Sequence, residues 1–259
     1  MRVAVKTLKR IQVGLYKRMQ QMEIVWLDQA RQIKTCVKPI SEAKSFLFQS
    51  LSQDFGQGNH QVRFIAAISS HLIWHKTLIL PQILNEQECR RQCRFVLNKA
   101  LPIPLDELWF DYTSHPLKQG FRLDLYALRQ QMAAAFLEDY SPFVLDCLDV
   151  TANAIFRAFH YLLKSIPAIS LLLYIDEQFC LAVCERIRQR QVLQLQYNET
   201  SQNPTALVEQ FRQRYPEPIE QIYVYRRSGE EKLPEQWQPI STSFPFIALG
   251  NALWQQDLT

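Results

Sequence analysis

The sequence predicts a mixed α/β fold in two lobes, in which strands alternate with amphipathic helices. Two short apolar runs, at 10–16 and 22–27, are separated by a polar segment, which is typical of a strand pair. Two almost wholly apolar runs, at 170–175 and 179–184, have the composition of central strands that are covered on both faces. Helix-like stretches lie between the later strands. Together these features favour a sheet with flanking helices in each half.

The remaining strands are predicted from apolar runs that are bounded by turn residues. They lie at 62–69, 72–80, 107–113, 121–126, 143–148, 191–197 and 221–225, and the polar stretch 52–61 is predicted to be a loop. Residues 165–167 form the best internal boundary because they end a helical stretch at a proline. We therefore expect a first lobe at 1–166, with an inserted strand–helix subdomain, and a smaller second lobe at 167–259.

Helix starts can be read from capping residues. Asn85 and Glu88 form a capping box for a helix at 86–100, and another helix ends near residue 140. Thr151 is predicted to cap the next helix. Asn203 is predicted to cap a later one, which has Pro204 at its first position. A last helix is expected from about residue 244.

The composition excludes several classes of protein. The 259 residues carry a net charge of +4 and only 6 glycines, which disfavours both a dedicated nucleic-acid binder and glycine-rich phosphate loops. The sequence has six cysteines, no apolar leader near its start and no apolar run of membrane-spanning length. We therefore expect free thiols in a reducing compartment and no membrane span.

Four stretches, in order along the chain, carry a resemblance to a known family. They are IQVGLY at 11–16, IAAISSHLIWHKTLILP at 65–81, LDELWFDYT at 105–113 and FIALGNALW at 246–254. In this succession the chain resembles the PilM family of type IV pilus assembly proteins. It is most similar to the short ComA and HofM members of competence and pilus operons.

The resemblance implies an actin-like, ribonuclease H-like fold that is related to the cell-division protein FtsA. Longer PilM proteins bind ATP between two lobes, and an Asp-x-Gly turn in each lobe positions the phosphates and their metal ion. They also hold the N-terminal cytoplasmic tail of a PilN-type protein that crosses the inner membrane. These properties are expectations for this chain.

The first-lobe half of the ATP site departs from the family pattern. Gly14 is kept, but Gln12 stands at the acidic position, and an amide cannot supply the anionic oxygen that Mg²⁺ prefers. Leu15, Tyr16 and Lys17 replace the small residues that face the phosphate. The bulky Tyr16 is expected to obstruct a close approach of the backbone.

The second-lobe half departs as well. Tyr174 stands at the acidic position and Asp176 at that of the glycine, where a carboxylate repels phosphate unless a metal intervenes. The paired glycines expected after the strand at 221–225 are reduced to Gly229, while Gly250 of the closing helix is kept. We therefore expect a vestigial nucleotide pocket of Gln12, Gly14, Tyr16, Tyr174, Asp176 and Gly250, with no catalysis and no cofactor, although residual ATP binding stays open.

Other candidate chemistry has a simpler structural interpretation. The pairs Cys89/Cys93 and Cys180/Cys184 lie in apolar stripes, which favours core packing over a metal site. His71 and His75 are expected to share one face of a strand, without the glutamate of a HExxH site. Asp146 and Asp149 flank a strand end, where an acid–base role is possible, but Asp149 is expected to complement a helix dipole. No metal site is predicted.

Three clusters of basic residues lie at 6–10, 17–18 and 185–190. They are interpreted first as solvated faces, then as attraction to anionic lipid, and last as DNA binding, because aromatic residues are not interleaved with them. No direct contact with nucleic acid is expected.

The sequence therefore predicts a non-catalytic cytoplasmic adaptor that associates with the bacterial inner membrane through a PilN-like partner. The pilus motor complex is a further candidate partner. One alternative is an active actin-like ATPase of the same machine. Another is the cytoplasmic domain of a GspL-type protein of type II secretion, which is disfavoured because the sequence shows no membrane span after its last helix.

Overall fold

The computed structural model describes residues 9–56, 60–167, 169–187, 189–196, 204–227 and 232–255. The strands are β1 (Lys9–Arg18), β2 (Gln21–Leu27), β3 (Ile33–Pro39), β4 (His60–Ile68), β5 (Trp74–Leu80), β6 (Leu108–Pro116), β7 (Phe121–Arg129), β8 (Cys147–Val150), β9 (Ser170–Ile175), β10 (Phe179–Glu185), β11 (Arg190–Gln196), β12 (Gln221–Arg226) and β13 (Gln238–Ile240). The helices are α1 (Ile40–Phe55), α2 (Glu86–Ala100), α3 (Gln130–Asp139), α4 (Thr151–Leu163), α5 (Pro204–Arg214) and α6 (Phe246–Ala252).

The chain divides into two units by internal contact. The first unit takes residues 1–68, 140–166 and 241–259, and the second takes 69–139 and 167–240. These units differ from the predicted lobes of 1–166 and 167–259 in two segments. The closing helix α6 packs on β1 and α4 and so groups with the first unit, and the inserted subdomain groups with the second.

Each unit contains a five-stranded mixed sheet, and the two sheets share one strand order. The first sheet runs β3-β2-β1-β4-β8, and the second runs β11-β10-β9-β12-β13. In each sheet, three consecutive strands pair antiparallel. A fourth strand pairs parallel with the first of these, and the fifth strand pairs parallel with the fourth. The repeat is therefore one of topology, which residue identity did not reveal.

The second unit also contains a three-stranded antiparallel sheet, ordered β5-β7-β6, which is the core of the inserted subdomain. Helix α2 covers one face of this sheet with its apolar stripe. The stripe residues Cys89, Cys93, Val96 and Leu97 pack on Phe121, Leu123, Leu125 and Ala127 of β7. Cys180 and Cys184 likewise lie in the core of the other sheet in this unit. All four thiols are buried packing groups, as their apolar stripes predicted.

Most elements lie where the sequence predicted them, and the capping box of Asn85 and Glu88 at α2 is confirmed. The predictions of one cap and of two element bounds were wrong. The Thr151 hydroxyl does not cap α4 but donates to the carbonyl of Ile68 at the end of β4. The strand expected at 143–148 lies instead at Cys147–Val150, and residues 52–55 of the expected loop belong to α1.

Two further findings concern single residues. His71 lies in a short 3₁₀ turn at Ser70–Leu72 while His75 lies on β5, so the two histidines do not share a strand. The predicted cap Asn203 lies outside the described residues, but α5 begins at Pro204 as expected.

Candidate functional site

In the first unit, the residues expected to face a phosphate belong to an uninterrupted strand pair. Gly14, Leu15, Tyr16 and Lys17 of β1 pair in register with residues 22–25 of β2. The reversal comes later, in a two-residue turn at 19–20, where Met19 has a positive φ of 52°. A phosphate-binding loop presents free backbone N–H groups. Here the backbone of this stretch is committed to a sheet ladder.

The Gln12 side chain binds the carboxyl end of helix α6. Its Nε2 lies 2.7 Å from the carbonyl oxygen of Ala252, 2.6 Å from that of Trp254 and 3.4 Å from that of Asn251. The last carbonyls of a helix have no partner within the helix and carry partial negative charge. Gln12 is therefore a donor that caps α6, which a carboxylate at this position could not be.

Gly14 and Asn251 fix the same helix against β1. A Cβ atom built at Gly14 would lie 2.0 Å from the carbonyl oxygen of Ala248, so only glycine permits this approach of strand and helix. The fully buried Asn251 donates from Nδ2 to the carbonyl oxygen of Leu15, at 2.9 Å. The glycine that the resemblance assigns to a phosphate turn serves helix packing here.

Gly250 and Arg157 join α6 to α4. A Cβ atom at Gly250 would lie 1.9 Å from the carbonyl oxygen of Ala154. The Arg157 Nε donates to the carbonyl oxygen of Gly250 at 2.8 Å, and its Nη2 donates to Asp149 Oδ2 at 2.6 Å. Asp149 also accepts from the side chain of Asn153, so its carboxylate is held by partners from α4. Gln12 and Arg157 thus donate hydrogen bonds, from two sides, to backbone carbonyls at the end of α6.

Replacing Gly250 with Ala tests this packing because two effects oppose each other. Helix propensity alone favours Ala by about 1 kcal/mol. The overpacked contact with α4 is expected to outweigh this gain and to lower the free energy of unfolding by a net of about 1–3 kcal/mol. Urea unfolding followed by circular dichroism should therefore give a lower free energy of unfolding for Gly250→Ala. The reference variant Ala135→Gly, at an exposed position of α3, reports propensity alone. A stabilised Gly250→Ala protein would contradict the packing argument.

In the second unit, Asp176 begins the turn between β9 and β10, and Tyr174 lies two residues earlier, near the end of β9. Asp176 Oδ1 accepts from the backbone N–H groups of Gln178 and Phe179, at 2.8 and 2.9 Å, and Oδ2 accepts from the Tyr174 hydroxyl at 2.9 Å. The Tyr174 ring stacks on Tyr225 of β12 with ring centroids 5.6 Å apart. Both oxygens of the Asp176 carboxylate are thus used inside the turn, which resembles an Asx turn.

Burial raises the pKa of the Asp176 carboxyl above its ordinary value of 3.8, because desolvation outweighs the hydrogen bonds from Phe179, Gln178 and Tyr174. The folded chain therefore binds this proton more tightly than the unfolded chain does. As a result, the contribution of Asp176 to the free energy of unfolding falls as the pH rises above 3.8 toward the pKa in the folded chain.

Two substitutions at Asp176 separate its turn geometry from its charge. Asp176→Ala leaves two N–H groups and a buried hydroxyl without an acceptor and is expected to cost about 1–3 kcal/mol. Asp176→Asn keeps the accepting oxygen and removes the buried charge. Its free energy of unfolding should therefore be close to that of the wild type at pH 4 and should rise relative to the wild type toward pH 7. Urea unfolding at both pH values checks the two variants, and an Asn variant as unstable as the Ala variant would refute this account.

The structure brings Gln12, Gly14 and Gly250 together around α6 in the first unit, and Tyr174 with Asp176 at the end of β9 in the second. Tyr16 lies on β1, opposite Glu23 of β2. Gly229 lies outside the described residues. Sequence reasoning missed Asn251 and Arg157. A polar residue inside the apolar run FIALGNAL was a readable signal for Asn251, whereas nothing in the sequence indicated the partner of Arg157.

Two searches of the described residues returned nothing. Those ranges contain no cluster of three or more His, Cys, Asp or Glu side chains suited to hold a metal ion. Within the same ranges, no helix combines the length and the apolar character needed to cross a membrane.

Solved structures of similar fold include two with TM-scores above 0.5. A chain of the "PilM-PilN type IV pilus biogenesis complex" aligns over 83% of this chain and 81% of its own, with 15% identity and a TM-score of 0.58. The chain is PilM-like in fold. The cytoplasmic domain of EpsL, an inner-membrane component of the type II secretion system of Vibrio cholerae, aligns over 94% of both chains, with 10% identity and a TM-score of 0.55.

No family model and no curated protein sequence matches the chain. At 10–15% identity, the two structural matches bear on the fold alone. The predicted mixed α/β fold, with a sheet and flanking helices in each half, is confirmed, and it is similar to the fold of a chain of the PilM–PilN complex.

Proposed function

We propose that this chain is a non-catalytic adaptor of an inner-membrane complex that assembles type IV pili or takes up DNA. It binds the N-terminal cytoplasmic tail of a PilN-like protein, and this partner keeps it at the cytoplasmic side of the inner membrane. The observation that carries the proposal is the fold shared with a chain of the PilM–PilN complex over 83% of this sequence. Its four family-like stretches, in the expected order, agree with that likeness.

The non-catalytic part of the proposal is supported by the local contacts of the predicted pocket residues. The Gln12 amide is bonded to helix carbonyls, the backbone of 14–17 is paired in a ladder, and the Asp176 carboxylate is saturated within its own turn. This set offers no free carboxylate for Mg²⁺ and no free N–H nest for phosphate, so it does not fit a magnesium-bound triphosphate.

Peptide binding is tested directly with the full chain. A fluorescently labelled peptide, made from the N-terminal tail of a PilN-like protein, should raise its anisotropy with saturation in the micromolar range, on the order of 8 kcal/mol of binding free energy. A scrambled peptide of the same composition is the matched control. Equal binding of both peptides, or of neither, would refute tail capture.

Calorimetry with Mg-ATP tests the ATPase alternative separately. We expect no heat of binding at nucleotide concentrations up to the millimolar range, where the dissociation free energy is only about 4 kcal/mol. Micromolar binding would contradict the proposal of a vestigial pocket, whatever the result with the peptide.

A type II secretion role is the second candidate, because EpsL aligns with this chain over 94% of both lengths. Affinity purification of the tagged chain from its own cells distinguishes the two systems. Recovery of a pilus or competence membrane protein supports the first candidate, and recovery of a type II secretion component supports the second.

A further inference from the structure

The outward side of α2 carries a surface of three cations around an exposed aromatic ring. We call it the α2 face and define it as Arg91, Arg94, Phe95 and Lys99. Helix α2 turns its apolar stripe to the three-stranded sheet, and these four residues, at about 100° per residue, fall on the opposite side. Phe95 lies between Arg91 and Lys99, four positions from each, and 63% of its surface is exposed.

The cations of the α2 face are unpaired within the residues that the structure describes. Arg90, at the edge of the helix, pairs with Glu86, and Glu88 serves the capping box, so the acidic groups of α2 lie in its first turn. From residue 89 to residue 105 the sequence contains no Asp or Glu. The outer side of the helix beyond its first turn therefore carries basic and uncharged side chains and no acidic one.

An anionic phospholipid surface matches this chemistry better than an acidic polypeptide does. The face is the convex outside of a helix, and a peptide normally requires a groove or a free strand edge. A bilayer surface accepts a convex helix. Its anionic headgroups attract nearby Lys and Arg, while an aromatic ring enters the boundary between headgroups and acyl chains. The exposed Phe95 is then the inserting group, and the three cations surround it.

We propose that the α2 face binds anionic phospholipid directly, as a second attachment to the membrane beside the proposed protein partner. The proposed lipid binding needs no peptide, so it can be measured in the absence of the protein partner. One aromatic side chain and three cations can hold a protein at the membrane surface with modest affinity. Firm anchoring requires a second attachment.

The test is flotation of the full chain with vesicles in low salt. We expect co-flotation with phosphatidylglycerol/phosphatidylcholine vesicles and little with phosphatidylcholine alone. The triple variant Arg91→Gln, Arg94→Gln, Lys99→Gln should bind on the order of a hundredfold more weakly. The matched control is Lys118→Gln, Arg129→Gln, Arg212→Gln, which removes three exposed cations elsewhere and should change binding less than about twofold.

Substitution of Phe95 tests insertion of its side chain into the membrane, which charge attraction alone does not require. In Phe95→Trp, the added tryptophan should be quenched by brominated acyl chains, beyond the signal of the five native tryptophans. Phe95→Ser should weaken flotation several-fold while leaving the fold unchanged by circular dichroism.

Three outcomes would overturn the proposal. They are equal losses in the test and control triple variants, an unquenched tryptophan at position 95, and no flotation of a folded wild-type chain. Binding of polyglutamate in place of vesicles would assign the face to an acidic protein instead. Because no peptide is present, failure here leaves the anisotropy experiment unaffected.

Discussion

Replacing Gln12 with Asp, the acidic residue that the family resemblance implies at this position, is expected to destabilise the chain by about 3 kcal/mol at pH 7. The carboxylate would lose the hydrogen bonds to Ala252 and Trp254 and would face the negative end of α6 without a partner. Urea unfolding of the variant and the wild type measures the difference.

The comparison variant Gln12→Ala removes the donor without adding charge and should cost about half as much. Lowering the pH toward 4 should recover part of the loss in Gln12→Asp, because protonation removes the repulsion, and should not help Gln12→Ala. Neither variant is expected to gain affinity for Mg-ATP in calorimetry. An Asp variant as stable as the wild type would mean that the α6 cap contributes little.

Replacing Arg122 with Met is expected to have the largest effect in the second unit, about 3–5 kcal/mol. Arg122 is 5% exposed on β7, with its Nε 2.7 Å from Asp124 Oδ2 and its Nη1 2.9 Å from Glu185 Oε1. It therefore joins the three-stranded sheet to β10 of the five-stranded sheet. Methionine fills the volume but leaves the buried Asp124 carboxylate without its cation.

Arg190→Met is the matched control for Arg122→Met. Arg190 also pairs with Glu185, but its side chain is more exposed than that of Arg122, so its loss should cost less than about 1 kcal/mol. Thermal or urea unfolding measures both variants. Equal effects of the two substitutions would show that burial of the Arg122–Asp124 pair is not what makes it important.

The contribution of the Arg122–Asp124 pair to the free energy of unfolding depends on pH. Burial opposes ionisation of Asp124, but the hydrogen bonds from His75 and Thr77 and the charge of Arg122 outweigh it and hold the pKa below 3.8. The stabilisation is therefore complete above pH 3.8 and is lost as the pH falls through the lower pKa of the folded chain. The difference in unfolding free energy between the wild type and Asp124→Asn should shrink below about pH 4.

Local sequence signals predicted the strands and helices that have strong periodicity or caps. The capping box at Asn85 and the apolar runs of β9 and β10 depend on neighbouring residues only, so they could be read directly. Strand β3 and helix α1 were missed because β3 is an edge strand with mixed burial, and α1 has no side-chain cap.

The candidate site was only partly predictable for a different reason. The departures at Gln12 and Tyr174 were visible in the sequence, but what these side chains do depends on partners far along the chain. Gln12 contacts residues about 240 positions away, and Arg157 contacts Gly250. No local pattern encodes such pairs. The division of the chain into two units likewise depends on the packing of α6 on β1 and α4. The periodicity of apolar residues in the sequence does not specify that packing.

The packing of α6 on β1 has a consequence for synthesis on the ribosome. Strand β1 emerges first, but the residues that bond to Gln12, up to Trp254, emerge some 240 residues later. At about 5–20 residues per second, the first unit waits on the order of 10–50 seconds for its last helix, while the segments of the second unit emerge in between. Nascent chains would therefore expose the surface of β1 that α6 later covers, and a chaperone that binds apolar strands would find its substrate there.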